Sequence, residues 1–221
     1  MNRLDHSAVV RCFPVPSELQ GPGGDLPMLC MEYCAGGDLR KVLNRPENCC
    51  GLKEVEICAC LRDMTEAVAY LHSLRIIHRD LKPENIVLQN TEGQTRYKLI
   101  DLGYAKELEH GSVCSSFVGT LQYLAPELFL SKRYTVTVDY WSLGLVTHEI
   151  ITGVRPFLPN MTPMEWMKKV KTKKKEHICV YEGRNGSVQF SATMFPETRI
   201  SSPLRTRIEE WLRLMLEWEP A

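Results

Sequence analysis

The segment His78-Arg79-Asp80-Leu81-Lys82-Pro83-Glu84-Asn85 crowds a base candidate, two cations and a carboxamide into eight positions of a 221-residue chain. A carboxylate at Asp80 can accept a hydroxyl proton, Lys82 can neutralise a phosphoryl oxygen, and Asn85 can offer a neutral oxygen to a divalent cation. Together these groups suit phosphoryl transfer. Twenty-one residues further on, Asp101 follows the apolar pair Leu99-Ile100. A hairpin returns it beside the first cluster, where it would hold the metal.

The flanking sequence supplies the scaffold. Between Glu54 and Ser73, apolar residues recur at Ile57, Leu61, Met64, Val68 and Leu71, the three-and-four spacing of one helix face. The patches Ile86-Val87-Leu88 and Leu99-Ile100 flank a polar turn at Gly93, which predicts a β-hairpin. Upstream, a Pro- and Gly-rich connector to about Leu26 leads into a short strand over Met28 to Tyr33. Downstream, Asp139 to Thr152 is apolar on most sides and ends at Gly153, which predicts a buried helix with a glycine C-cap. Helical spacing resumes from Arg205 to Trp218 and stops at Pro220. The lysine run Lys168, Lys169, Lys171, Lys173, Lys174 and Lys175 reads as a solvated helix end, with a docking site for an acidic partner as the minority reading.

Composition narrows the function. Hydrophobic residues make up 44% and charged residues 24%, the balance of an ordinary globular domain. The 27 Lys and Arg residues offset 27 Asp and Glu residues, so no net field draws the chain to nucleic acid or to a membrane surface. The nine cysteines form no paired CxxC spacing, which argues against a zinc site and for a reducing compartment. No signal peptide and no apolar run long enough to span a membrane is found. The Asn-x-Ser/Thr triplets at Asn160 and Asn185 are chance matches in that setting.

The order His78 to Asn85, Asp101-Leu102-Gly103, Ala125-Pro126-Glu127 resembles the protein kinases, whose signature is His-Arg-Asp-Leu-x-x-x-Asn, Asp-x-Gly and Ala-Pro-Glu. Leu102 stands where that family usually has Phe, one apolar plug for another. Lys82-Pro83-Glu84 resembles the serine/threonine branch, which places a hydroxyl such as Thr120 between the catalytic Asp and Lys. The resemblance implies Asp80 as catalytic base, Lys82 as phosphate stabiliser, and Asn85 and Asp101 as Mg²⁺ ligands. It further implies that Met31 to Cys34 form the hinge that meets the adenine of ATP, through the backbone of Glu32 and Cys34, with Asp38 near the ribose. The strings Met31-Glu-Tyr-Cys, Gly36-Gly-Asp-Leu-Arg-Lys, Glu47-Asn-Cys-Cys-Gly-Leu and Tyr134-Thr-Val-Thr-Val-Asp-Tyr-Trp-Ser, with Gly-Ser-x-Cys-x-Ser-Phe-Val-Gly-Thr before Ala125, are similar to the alpha/beta type of inhibitor-of-kappa-B kinase.

That resemblance implies a switch at Ser112 and Ser116, phosphorylated by an upstream kinase, with Arg79 pairing the added charge. Cys114 between them reads as a bystander thiol. The resemblance also implies a cytoplasmic enzyme with a possible nuclear fraction, a substrate of the inhibitor-of-kappa-B type, a scaffold or regulatory subunit, and no nucleic-acid or membrane partner. The expected fold is α+β and protein-kinase-like, with residues 1–33 a remnant of the N-lobe sheet and residues 34–221 a mainly helical C-lobe truncated at its end. The glycine-rich loop, the β3 Lys, the αC Glu and the dimerisation region are absent from the sequence, and the Arg expected to pair Glu127 would lie beyond Pro220. A fragment inactive by itself is the expected state, against the alternative of a short non-catalytic regulatory module. A metal-dependent hydrolase built on Asp80, Asp101, His72 and His78 is a third reading, without any supporting metal-ligand spacing.

Overall fold

The computed structural model describes residues 4–19, 28–91, 93–108, 116, 118–130, 134–157, 168, 172–182, 187–194 and 197–218. Among the described residues, five α-helices and four two-stranded antiparallel sheets surround one buried cluster. The expected α+β class is the one found, and its architecture follows from where the apolar residues fall.

Helix α2, Glu54–Ser73, buries Ile57, Cys60, Met64, Ala67, Val68 and Leu71 along one stripe. Glu56 closes its first turn by accepting from the Lys53 backbone N–H at 3.0 Å, the capping-box geometry at the helix start. The stripe packs on the hairpin of β4, Ile86–Thr91, and β5, Gln94–Leu99, which pair in register from Ile86↔Leu99 to Thr91↔Gln94. Buried Asp63 on α2 accepts from the backbone N–H of Tyr97 at 2.9 Å and from Arg96 at 3.1 Å. A carboxylate this deep needs such partners to offset its desolvation.

The upstream segment does not stand apart from this core. Ala8, Val9 and Val10 are buried, and Val10 N–H donates to Leu99 O while Leu99 N–H donates to Ala8 O, both at 2.9 Å. Strands β1, Cys12–Phe13, and β2, Cys30–Met31, then pair antiparallel. The strand expected over Met28 to Tyr33 is therefore shorter than its apolar run. A third small sheet joins β3, Ile76–Ile77, to β6, Lys106–Glu107.

Short helices α1, Leu39–Leu43, and α3, Pro126–Leu130, flank the loops around the signature segment. Helix α4, Thr137–Thr152, lies in the middle of the core, where all its residues but Thr137 and Tyr140 are buried. That explains why its sequence shows little amphipathic contrast. It stops at Gly153, whose φ of 79° is left-handed and whose added Cβ would sit 2.3 Å from Cys49 O. Helix α5, Ser202–Met215, packs on α4.

Two features depart from expectation. Strands β7, Cys179–Glu182, and β8, Val188–Ser191, form a hairpin that periodicity did not suggest. In the lysine run, Lys173 is not at a solvated helix end. It lies in a loop, 8% exposed, with Nζ donating to Leu216 O at 3.0 Å and sitting 5.7 Å from the ring centres of Phe157 and Trp218. Burial pulls its ammonium down to about 8. Lys174 and Lys175 are exposed as expected, whereas Lys169 and Lys171, like Pro220, lie outside the described residues. Among the described helices none is long and apolar enough to cross a membrane.

Two predictions follow from the packing. Gly153→Ala adds a Cβ to a left-handed residue against a backbone oxygen, and thermal unfolding should show a loss of about 1–3 kcal/mol. His148, buried in α4 with Nδ1 3.0 Å from Val154 O, is held near 4 by burial. The folded imidazole stays neutral while an unfolded histidine takes up a proton below about 6.5, so stability drains away as pH falls from about 6.5 to about 4. Urea titrations should show about 3 kcal/mol of this slope vanishing in His148→Asn.

Candidate active site

The loop from His78 to Asn85 is fixed from below by one buried carboxylate. Asp139, in the first turn of α4 and 1% exposed, accepts the backbone N–H of His78 through Oδ2 at 2.9 Å and that of Arg79 through Oδ1 at 2.8 Å. His72 Nε2 lies 2.8 Å from the same Oδ2. The hold lets Arg79 keep a φ of 69°, a left-handed conformation costly for any residue but glycine. It turns the chain so that Asp80 faces forward.

His78 completes the fastening. Its Nδ1 accepts the Asp80 N–H at 3.3 Å, so the ring proton lies on Nε2, which donates to Ile100 O at 3.1 Å. Both nitrogens of His78 are thereby committed, and those of His72 face Asp139 and Tyr140 OH, at 3.2 Å for the latter. Neither imidazole is available as a metal ligand, which removes the hydrolase reading.

The structure brings Asp80, Lys82, Asn85 and Thr120 into one cluster. Asp80 Oδ1 accepts from Thr120 N–H at 2.8 Å and from Thr120 Oγ1 at 2.7 Å. Asp80 Oδ2 accepts from Asn85 Nδ2 at 3.0 Å and pairs with Lys82 Nζ at 2.8 Å. Lys82 Nζ also reaches Thr120 Oγ1 at 2.7 Å. Burial alone would raise the Asp80 carboxyl, but Lys82 and Thr120 outweigh it and hold the group below the usual aspartate value of 3.8. Thr120 arrives there because Gly119, at φ 113°, passes so close to the catalytic loop that a Cβ would meet Arg79 O at 2.6 Å.

Asn85 uses Nδ2 on Asp80 O and Oδ2, so Oδ1 is the atom it could offer to a cation. Asp101 is exposed, sits at φ 59°, and accepts Gly103 N–H through Oδ1 at 3.0 Å. Hard oxygens of this kind fit Mg²⁺, which keeps waters and commonly takes only one or two carboxylates plus phosphate oxygens. Among the described residues no group of three His, Cys, Asp or Glu gathers as a metal cluster.

At the expected hinge, Glu32 N–H donates to Arg11 O at 2.9 Å, so of its two backbone groups a ligand would have to use the carbonyl. The Glu32 side chain pairs with Lys98 Nζ at 2.6 Å and accepts Arg11 N–H at 3.3 Å; these contacts overcome burial and hold its carboxyl low. Burial and the Glu32 charge push the Cys34 thiol up. Met31, 43% exposed, lines a small apolar recess with Val9, Leu99, Leu102 and Asp101. Asp38 caps α1, its carboxylate accepting Lys41 N–H at 2.9 Å and pairing with Lys41 Nζ at 3.0 Å. A ribose contact would have to share those oxygens.

Arg79 Nη1 lies 2.8 Å from Ser116 Oγ and 3.0 Å from Tyr134 OH, and its Nε donates to Tyr104 O. Ser112 and Cys114 lie outside the described residues. Buried Glu127 accepts from Thr137 Oγ1 at 3.0 Å, and burial raises its carboxyl. Periodicity and spacing missed three participants. Asp139 reads in sequence only as the start of a helix, Lys98 only as one polar position of a strand. Arg40, which donates to Glu84, Glu149 and Tyr123, carries no local signal.

A carboxylate, a lysine, a carboxamide and a hydroxyl fixed in this order, with a second carboxylate at the hairpin's end, make up the phosphoryl-transfer loop of the protein kinases. The protein kinase domain matches residues 1–218, and the chain belongs to that family. Over 220 residues it is 55% identical to inhibitor of nuclear factor kappa-B kinase subunit alpha of Xenopus laevis, covering 100% of this chain and 30% of that protein. It is 57% identical over 221 residues to subunit beta of Bos taurus, covering 100% of this chain and 29% of that protein. With subunit epsilon of Mus musculus it shares 34% over 233 residues, 99% of this chain and 32% of that protein. The chain thus spans about 30% of the length of these relatives.

Asp139→Asn places an amide nitrogen against backbone donors that now meet a carboxylate. Chemical denaturation should register a loss of about 3 kcal/mol, and amide exchange at His78 and Arg79 should speed up. A variant as stable as the parent, with both amides still protected, would show that Asp139 does not hold the loop.

Proposed function

We propose that this chain carries the catalytic half of a serine/threonine protein kinase that phosphorylates serines of an inhibitor-of-kappa-B-type protein in kappa-B signalling. The observation that supports it most is Thr120, which binds Asp80 and Lys82 at once and so ties the base to the phosphate-stabilising cation. In this reading Asp80 accepts the serine hydroxyl proton as the new O–P bond forms to the γ-phosphorus of ATP and the bond to ADP breaks. Its depressed pKa keeps it ionised and therefore ready; kinase catalysis draws mainly on positioning and charge, so a strong base is not required. Lys82 offsets charge on the transferring group. Bound Mg²⁺, held by Asn85 Oδ1 and Asp101, would neutralise phosphate charge. The Glu32 carbonyl and Cys34 take the adenine, with Met31 against it and Asp38 toward the ribose.

Regulation in this reading comes from phosphorylation of Ser112 and Ser116 by an upstream kinase in the cytoplasm. Arg79 already touches the Ser116 hydroxyl, and a phosphate there would add charge-assisted bonds to the same guanidinium. A scaffold or regulatory subunit would join through other parts of the protein. The 221 residues contain no Gly-x-Gly-x-x-Gly string, so by themselves they should transfer phosphate slowly, lacking that clamp on ATP.

The test compares the chain with a version extended at its N-terminus by the glycine-rich loop, lysine strand and αC helix of a homologous kinase. With Mg²⁺ and radiolabelled ATP, the extended version should phosphorylate serine peptides, and Asp80→Asn should lower that rate about 10³-fold or more. No transfer by the extended version, or transfer indifferent to Asp80→Asn, would sink the kinase reading and favour a non-catalytic binding module.

A further inference from the structure

The turn between α1 and α2 carries two adjacent cysteines that the phosphoryl-transfer site does not use. Cys49 is exposed, Cys50 is half-buried, both are free thiols, and their sulfurs lie 3.7 Å apart. Adjacent side chains on a helical turn ordinarily point away from each other. Cys49 has helical dihedrals, φ −60° and ψ −23°, and yet the two sulfurs meet. The backbone that presents them is held on both sides. Buried Asn48 donates Nδ2 to Val42 O at 2.8 Å, Gly51 N–H donates to Asn48 O at 2.9 Å, and Leu52 N–H donates to Ile150 O at 2.7 Å. A Cβ on Gly51, at φ 86°, would run into Ile151 O. The thiols thus project from a turn clamped between α1 and the end of α4, and little ordering is left to be done when something binds them.

Two chemistries are open to such a pair, and geometry separates them. A disulfide between sequence neighbours has Cα atoms fixed about 3.8 Å apart by the peptide unit, short of the roughly 4.4 Å at which disulfides ordinarily begin. The clamped turn leaves little room to relieve that strain. A zinc ion asks for almost no movement, because two Zn–S bonds of about 2.3 Å meeting at a tetrahedral angle span about 3.8 Å. We infer that Cys49 and Cys50 form a surface site for Zn²⁺, bound through both sulfurs. Each thiol releases its proton to solvent and donates a lone pair, so one divalent ion and two thiols become a neutral dithiolate complex and two protons. Among the described residues no third His, Cys, Asp or Glu completes the set, so water takes the other two corners and the ion stays exchangeable. The site is separate from the catalytic cluster and does not rest on the kinase reading.

The test treats the reduced chain with iodoacetamide, with and without Zn²⁺, and follows each cysteine by peptide mass spectrometry. Zn²⁺ should slow alkylation of Cys49 and Cys50 about ten-fold or more, since a sulfur engaged with the metal is no longer a free thiolate. Cys58, exposed on α2, should react at its original rate, and a chelator should restore the rates at Cys49 and Cys50. Mg²⁺, which takes oxygen ligands, should protect neither. Competition against a chromogenic chelator should find one Zn²⁺ bound by the parent chain and by Cys58→Ser that is lost in Cys49→Ser and in Cys50→Ser. Alkylation unchanged by Zn²⁺, protection that extends equally to Cys58, or a Zn²⁺ that survives both serine variants overturns the site. The alkylation measurement needs no variant, so it decides by itself if a serine variant misfolds.

Discussion

Everything forward of the core depends on the Asp139 carboxylate accepting two successive backbone N–H groups, those of His78 and Arg79. A buried aspartate is costly to desolvate, and only several well-placed donors make it tolerable. Here the donors belong to a turn that would not otherwise form, because Arg79 adopts a left-handed φ. The two costs offset each other: the loop supplies what the carboxylate needs, and the carboxylate holds what the loop could not maintain. Helix α4 is suited to the task because it is surrounded by core, so its first turn does not fray. An acidic residue in that turn also faces the positive end of the helix dipole.

A second layer of polar pairing governs the cleft beside the base. Arg40, Glu84, Glu149 and Tyr123 come from α1, the catalytic loop, α4 and the turn after Thr120. Four separate pieces of chain meet at one guanidinium, whose planar fork matches carboxylates better than an ammonium would. Burial alone would lower the Arg40 guanidinium, but Glu149 and Glu84 outweigh it and raise it, and burial beside Glu149 raises the Tyr123 phenol, so neither proton is lost at working pH. The Arg40 pairs thus tie the Glu84 end of the loop to α4 and set the electrostatics of the cleft.

Much of this was legible in the sequence, in a way that follows the range of the interactions. Helix α2 was readable to its ends, because its stripe and its boundaries are local. The β4–β5 hairpin was readable from two apolar patches and a glycine turn, and the Gly153 C-cap from one residue. The catalytic cluster was legible as composition, since four polar groups in eight residues need a reason. What lay hidden were long-range partners: Asp139 acts on residues about sixty positions earlier, and Arg40 on a glutamate 109 positions later. The β7–β8 hairpin was not legible from periodicity, because each of its strands is only four residues long. Lys173 could not be read at all. Nothing in a run of lysines tells which one brings its ammonium over Phe157 and Trp218 and caps the end of α5.

Strand β5 shows how a period of two can serve chemistry as well as packing. Lys98 reaches Glu32 at the hinge, Leu99 beside it is buried and bonds both ways to the Ala8–Val10 segment, and Ile100 just beyond gives its carbonyl to His78 and its N–H to Asn85 O. Asp101 follows. Within four residues one run of chain thus addresses the Glu32 carboxylate, the core, the His78–Asn85 loop and the Asp101 carboxylate. Alternation sends Lys98 and Leu99 to opposite faces, and the end of pairing at Leu99 frees the next backbone groups to bond outside the hairpin. A shift of register by one residue would turn Lys98 into the core and pull the Ile100 carbonyl off His78, releasing the ring that orients Asp80. The register is secured by six paired positions against β4 and by the burial of Tyr97, Leu99 and Ile86. The stability of an ordinary hairpin is in this way what places the hinge and the catalytic carboxylates in one frame.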